Sequence, residues 1–164
     1  MSPCFPCIFI TLILLVSANG APILARKLLR YRYAFPVDCG FNLRDGRPLF
    51  GNAKTWRGLL ASICLTTVMA WLLDLAPFLG GMFAMLSMTG DLLASYCKRR
   101  LGKVESSRAR GFDTLPESLL PVWVLKGSLA LSGLDIILIV GLFFLMEEFV
   151  SPLLYKWHIR LRPY

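Results

Sequence analysis

The chain contains 164 residues, of which 56% are hydrophobic, and its mean hydropathy is +0.62. Ordinary soluble domains are less apolar and lack long uncharged runs, which favours a membrane protein and excludes a soluble nucleic-acid-binding protein. The formal net charge of +8 must then lie on a membrane protein. Because each spanning helix needs about 20 apolar residues, residues 1–164 are predicted to form a single all-α, polytopic integral membrane domain.

Five apolar runs predict five transmembrane helices. In chain order they cover residues 3–25, 58–74, 76–97, 115–131 and 132–155, with polar loops at 26–57 and 98–114. A cleavable secretory signal is the alternative for the first run, because small residues surround Gly20, but no positive charge precedes the run. Pro121, Lys126 and Gly127 interrupt the fourth run, so a re-entrant segment is the alternative there.

The basic residues are concentrated in the two polar loops and at the C-terminus. Short loops rich in Lys and Arg stay on the cytoplasmic side of a membrane. Three basic segments on one side require an odd number of spans, with the N-terminus outside. The predicted location is the inner (cytoplasmic) membrane, where these charges also attract anionic lipid headgroups.

Cys4 and Cys7 have the spacing of a redox motif. A thioredoxin-like motif belongs to a soluble βαβ unit, and no such unit surrounds this pair. We therefore expect no redox or metal chemistry from the cysteines.

The segment DGRPLFGNAKTWRG, residues 45–58, combines glycines with basic side chains. It does not match a P-loop, because Lys54 does not directly follow the second glycine. Glycines still allow backbone N–H groups to approach an anion, and Arg57 can bind a phosphate through two hydrogen bonds. Gly58 begins a helix, whose N-terminus is positive. The segment predicts a phosphate site at the membrane surface; the alternative is an ordinary positive loop with Trp56 as an interfacial anchor.

Asp91 lies inside an otherwise apolar helix, directly after Gly90. Helical spacing places Ser95 and Lys98 on the same face. A carboxylate at this depth is costly and indicates a functional site. The alternative is a structural salt bridge to Lys54 or Arg57.

Other aspartates on the predicted cytoplasmic side are Asp38, Asp45 and Asp113. Carboxylates beside basic side chains suit a magnesium–phosphate complex, and the alternative for Asp113 is a plain helix N-cap. His158 is the single histidine and is expected at the surface. The chain therefore has no Ser/His/Asp or Cys/His arrangement for covalent catalysis.

Short motifs follow one another along nearly the whole chain. They are Ala18-Asn-Gly-Ala-Pro22, Pro36-Val-Asp38-Cys-Gly40, Asp45-Gly-Arg-Pro-Leu-Phe-Gly51, Lys54-Thr-Trp-Arg-Gly58, Gly90-Asp91 with Ser95, Lys98-Arg-Arg-Leu-Gly102, and the ending from Tyr155-Lys156 to Pro163-Tyr164. In this order they resemble the CDP-archaeol synthases, small five-span membrane cytidylyltransferases related to CDP-diacylglycerol synthases. One departure is Asp113-Thr114, where the family usually has Asp-Gln.

The resemblance implies a magnesium-dependent transfer of CMP from CTP to a lipid phosphate, giving a CDP-lipid and pyrophosphate. The lipid is archaeol-type, phosphatidic acid or another lipid phosphate. The resemblance implies that Asp91 binds the metal and that the phosphates are bound by Lys54, Arg57, Lys98, Arg99 and Arg100. The predicted catalytic residues are then Lys54, Arg57, Asp91 and Lys98; the predicted substrate-binding residues are Asn19, Gly46, Gly51, Thr55, Ser95, Arg99 and Arg100; the predicted Mg²⁺ ligands are Asp91 with Asp38 or Asp113.

Two other functions are alternatives to the enzyme. One is a non-catalytic protein whose basic loops bind anionic lipid headgroups. The other is a transporter of a phosphorylated lipid, although the spans show no second half that resembles the first. The sequence leaves the oligomeric state open.

Overall fold

The structure is a computed structural model that describes residues 3–30, 32–43, 45–103 and 112–156, with side chains described up to Phe149. This part of the chain contains five helices and two isolated β-bridges. The helices are α1 (Phe5–Leu29), α2 (Trp56–Leu72), α3 (Pro77–Arg100), α4 (Thr114–Val124) and α5 (Gly133–Lys156). The predicted all-α class with five helices is confirmed.

Two of these helices, α1 and α3, are long and apolar enough to cross a membrane, judged over the described residues. The apolar helix α2 has 17 residues and is slightly shorter. The basic end of the chain, from Trp157 to Tyr164, and the loop residues 104–111 lie outside the described residues, as do His158 and part of the last family motif.

Three helix boundaries differ from the predicted ones by three residues or more. Helix α1 continues to Leu29 and α3 to Arg100, because Arg and Lys form helices well and their charge is favourable at a helix C-terminus. Helix α4 ends at Val124 instead of residue 131. Its 11 residues span only about 16 Å at 1.5 Å per residue, and a turn follows over residues 125–130.

Helix α3 lies at the centre of the bundle and packs against α1, α2 and α4. Two glycines permit the close approaches. A Cβ on Gly80 would lie 2.5 Å from Ala70 Cβ on α2, and a Cβ on Gly90 would lie 2.2 Å from the Pro116 carbonyl oxygen on α4. Small residues allow helix backbones to come this close in membrane proteins.

Hydrogen bonds between helices add to this packing. Ser62 on α2 donates to the Ala18 carbonyl at 2.8 Å. Asn19, a predicted substrate-binding residue, donates to Ser87 of α3 at 3.3 Å and therefore links α1 to α3.

At the opposite end from the basic loops, buried Asp135 accepts hydrogen bonds from the Cys4 backbone and from Ser132. Cys4 and Cys7 form a disulfide at the start of α1. The N-termini of α1 and α5 therefore lie together, and the site described below is at the other end of the bundle.

Candidate active site

The loop between α1 and α2 is closed by the carboxylate of Asp38. Its Oδ1 accepts the Gly40 N–H at 3.1 Å, and its Oδ2 accepts the N–H groups of Phe50 at 3.0 Å and Gly51 at 2.9 Å. Burial opposes ionisation, but these donors together lower the pKa of Asp38 below its usual value. Gly51, at φ +96°, adopts a backbone conformation that favours glycine, so this predicted site residue shapes the loop.

A second contact fastens the loop to the end of α3. The Arg100 guanidinium lies 2.5 Å from an Asp45 carboxylate oxygen and donates to the Pro48 carbonyl at 2.7 Å. In return, Arg47 donates to the carbonyls of Arg100 at 2.9 Å and Arg99 at 3.3 Å. We refer to Asp45, Arg47 and Arg100 as the loop clamp.

The loop clamp bears on three predicted substrate-binding residues. Gly46, at φ +72°, forms its turn. Arg100 supplies its central cation, and Arg99 is buried beside it at 5% exposure. The structure therefore gives Gly46 and Arg100 a role in holding the loop.

The closed loop carries Lys54 to α3. Val37 donates its N–H to the Lys54 carbonyl at 2.8 Å, and Lys54 Nζ lies 2.5 Å from an Asp91 carboxylate oxygen. Burial disfavours the ammonium ion, but Asp91 outweighs it, so the pKa of Lys54 is raised. The sequence predicted both Lys54 and Asp91 as site residues and a salt bridge between them as the alternative; the structure contains this pair.

The Lys54–Asp91 pair lies in the wall of a cavity of about 230 Å³. Its described lining residues come from α1, α2, α3 and the intervening loop: Pro22, Arg26, Arg30, Ala34, Val37, Asn52, Ala53, Lys54, Thr55, Arg57, Gly58, Leu59, Met88, Asp91 and Leu92. Four predicted residues, Lys54, Thr55, Arg57 and Asp91, are thus brought together. Arg57 also donates to the carbonyls of Arg30 and Arg32 at 2.7 and 2.6 Å, so it stabilises the end of α1.

Sequence reasoning missed Arg26 and Arg30, because it assigned both to a loop. The signal that could have found Arg26 is its spacing of four residues from Pro22, which places both on one helical face; Arg30 follows the end of the helix.

Helix α4 brings more charged groups to the same end of α3. Lys98, which is 7% exposed, lies 2.7 Å from Asp113. The Asp113 side chain makes no capping hydrogen bond, so the plain N-cap alternative is not supported. Ser95, the third predicted residue on this face, is buried. Lys98 and Ser95 do not line the cavity.

Glu117 is a second residue that sequence reasoning missed. It is 6% exposed and interacts electrostatically with Glu147, Asp91, Lys54 and Asp113. The signal available was Gly90, because a glycine next to a predicted site residue indicates close approach by another element, here the helix that carries Glu117.

The three predicted magnesium ligands are not in one cluster. Among the described residues, no group of three or more His, Cys, Asp or Glu side chains could hold a metal ion. Both Asp38 oxygens are occupied by loop N–H groups, whereas Asp113 Oδ1 is buried without a hydrogen-bond partner among the described residues. Mg²⁺ commonly uses one or two carboxylates plus substrate phosphates, and the carboxylates of Asp91 and Asp113 are of the type it requires, whereas that of Asp38 is already used by the loop.

The sequence profile of the CarS-like family, CDP-archaeol synthase, matches residues 6–78. CDP-archaeol synthases from Hyperthermus butylicus and Pyrobaculum arsenaticum are 39% and 38% identical over 61% and 65% of this chain. The matches span 60% and 66% of those proteins, which is less than two thirds of their length. The CDP-archaeol synthase of Sulfurisphaera tokodaii is 30% identical over 79% of this chain and 81% of its own length.

The chain belongs to the CDP-archaeol synthase family. The resemblance seen in the motifs is thereby confirmed. A solved structure described as an intramembrane enzyme for archaeal membrane lipids biosynthesis superposes with a TM-score of 0.68 at 25% identity. The superposition covers 82% of this CDP-archaeol synthase family member and 89% of the solved chain. This match identifies the fold as that of an intramembrane protein.

Proposed function

We propose that this chain transfers CMP from CTP to a membrane lipid phosphate, giving a CDP-lipid and pyrophosphate. The observation that carries the proposal is the Lys54–Asp91 pair in the wall of a basic cavity in a CDP-archaeol synthase family member. The names of the relatives favour an archaeol-type lipid phosphate over phosphatidic acid.

In the proposed reaction, an oxygen of the lipid phosphate attacks the α-phosphorus of CTP. A new P–O bond forms, the bond from the α-phosphorus to the bridging oxygen breaks, and pyrophosphate leaves with that electron pair. A phosphate oxygen is already nucleophilic, so no activated serine or histidine is required. The protein has to position two anions and neutralise charge on the leaving group, which suits Lys54, Arg57 and Lys98.

Magnesium, when bound, neutralises charge on phosphate oxygens. The carboxylates that would hold it are those of Asp91 and of Asp113, whose Oδ1 has no hydrogen-bond partner in the described part of the chain. Both now pair with lysines, so metal binding would leave Lys54 and Lys98 for phosphate oxygens. Asp38 has a separate task in this proposal, which is to hold the loop that carries Lys54.

The five helices are proposed to span the inner membrane as a single domain, with the N-terminus outside and the basic loops in the cytoplasm. The basic side chains of the loop clamp and of the cavity lie at one end of the bundle, and the Cys4–Cys7 disulfide lies at the other. Disulfides persist mainly in oxidising compartments, which supports this orientation.

The test is pyrophosphate release by the purified protein in detergent, with CTP, magnesium and either an archaeal-type ether lipid phosphate or phosphatidic acid. We expect release with one lipid and its loss in Asp91→Asn. The matched control is Asp74→Asn, an exposed aspartate in the turn between α2 and α3, which should keep full activity. Each rate is divided by the amount of protein that elutes as a folded species.

The competing function is non-catalytic binding of anionic lipids. A binding protein gains nothing from a carboxylate in its basic cavity, so Asp91→Asn would bind lipid phosphate equally well or more tightly. No release with either lipid, from folded protein that still binds both, would favour that function over the enzyme.

A further inference from the structure

The end of α1 contributes a proline and two arginines to the cavity. Pro22 and Arg26 of α1 line it together with Arg30, the residue that follows the helix, and Pro22 lies about 6 Å from Arg26 along the axis at 1.5 Å per residue. Both arginines are exposed. Neither guanidinium donates a hydrogen bond or forms an ion pair to another described residue, so both remain available to an anion.

The cavity is lined by both charged and apolar side chains. The guanidinium groups of Arg26, Arg30 and Arg57 line it together with Pro22, Leu59 and Met88. An anionic group attached to an apolar one matches this mixed lining. A lipid phosphate has that composition, but CTP, whose base, ribose and phosphates are all polar, does not.

The cavity is also small for a nucleotide. Sites that enclose a drug-sized ligand usually measure about 300–1,000 Å³, whereas this cavity measures about 230 Å³. That volume suits a phosphate with the first atoms of its lipid backbone.

The reaction geometry adds a third argument. In phosphoryl transfer, the attacking and leaving oxygens lie roughly in line on opposite sides of the phosphorus. Asp91 faces the cavity on one side, and it interacts electrostatically with Glu117 of α4, which does not line the cavity. An acceptor in the cavity would therefore lie beside Asp91, which also interacts with Glu117 of α4.

We propose that this cavity is the acceptor subsite, in which Arg26 and Arg30 bind the phosphate monoester of the lipid substrate. This assignment rests on the proposed function and separates the two substrates within it. The chain offers a matched control, because Lys27 is an exposed cation one residue from Arg26 that does not line the cavity.

The experiment measures pyrophosphate release by the full chain in mixed micelles, with the lipid phosphate varied at saturating CTP and then CTP varied at saturating lipid. Arg26→Gln should raise the KM for the lipid about tenfold, equivalent to about 1.4 kcal/mol, while the KM for CTP changes less than about twofold. Arg26→Lys should recover part of the loss. Lys27→Gln, which removes the same charge, should change neither KM by more than about twofold.

Equilibrium binding of a short-chain lipid phosphate and of CTP is measured on the same variants. Weaker lipid binding in Arg26→Gln, with CTP binding retained, supports the acceptor subsite. This holds even if the wild-type chain releases no pyrophosphate, because the absence of release would refute only the proposed function. A rise in the KM or Kd for CTP alone would overturn the assignment and place the nucleotide in the cavity. An equal loss of lipid affinity in Arg26→Gln and Lys27→Gln would also overturn the assignment, since it would indicate that the lipid phosphate is attracted to surface charge in general.

Discussion

Gly90→Ala should separate α4 from α3 and disable the site. The new Cβ would lie 2.2 Å from the Pro116 carbonyl oxygen and 2.8 Å from the Glu117 Cα, whereas ordinary contacts begin at 3.4 Å. Restoring such a contact requires a shift of 3.4 − 2.2 = 1.2 Å between two backbones, which cannot yield as a flexible side chain would. Overpacking of this kind costs about 1–3 kcal/mol.

The shift moves the α4 groups Asp113 and Glu117 relative to Asp91. A misplacement of about 1 Å can cost on the order of 100-fold in rate, so we expect a loss of that size in pyrophosphate release per folded protein. The assay pairs this rate with the thermal midpoint in detergent, which should fall by about 2–12 °C.

Substitutions at two other glycines are controls that distinguish a loss of stability from damage to the site. Gly80→Ala places its Cβ 2.5 Å from Ala70 Cβ, on the side of α3 that faces α2, and should destabilise the protein similarly while losing less than about tenfold in rate. In Gly141→Ala, the new Cβ would have no described atom within 4 Å outside its own helix backbone, so this substitution should be neutral or stabilising. If Gly90→Ala loses no more specific activity than Gly80→Ala, the close approach of α4 does not assemble the site.

Three further predictions concern the loop and the membrane orientation. Asp38→Asn should destabilise the loop by about 2 kcal/mol, because it removes a charged acceptor of three N–H groups. The pKa of Asp38 is lower in the folded protein than in the unfolded chain. Its contribution to folding stability is therefore complete above the ordinary aspartate pKa of about 3.9, and it is lost as the pH falls through the lower pKa of the folded state. The difference in thermal midpoint between wild type and Asp38→Asn should therefore shrink in that range, and a constant difference would contradict the assignment. Arg100→Ala should increase proteolysis between residues 41 and 50 with little direct effect on CTP affinity; unchanged proteolysis with a raised KM for CTP would instead identify Arg100 as a phosphate ligand. In right-side-out vesicles, a membrane-impermeant thiol reagent should label Cys4 and Cys7 after reduction but reach Cys39 only after permeabilisation, and the reverse pattern would invert the proposed topology.

Much of the helical framework could be predicted from the sequence, because apolar runs and their interruptions are local signals. Helices α2 and α3 begin within two residues of the predicted starts. Basic residues after an apolar run predict a loop, but at the ends of α1 and α3 they continue the helix, because positive charge also favours a helix C-terminus. The end of α4 was predicted too late, as its apolar run continues past the point where the helix stops.

The candidate site was predicted in part for the same reason. Lys54 and Asp91 were found because glycine-rich basic segments and carboxylates within spans are recognisable along the chain. Arg26 and Glu117 were missed because their roles depend on which helices meet, a long-range property that one sequence does not display. The loop clamp was also missed, since nothing local distinguishes an arginine that binds carbonyl groups from one that binds phosphate.

The loop that carries Lys54 is held by the backbone donors to Asp38, by the loop clamp and by the Val37–Lys54 hydrogen bond. The conformational entropy of this loop is therefore lost during folding, so ordering the loop does not weaken substrate binding. Substrates then meet a surface that is already arranged, so free and bound forms should differ by less than about 1 Å in this part of the backbone. A site of this kind accommodates a new lipid tail by changes in the apolar wall of the cavity, while the arrangement of Lys54 and Asp91 stays constant.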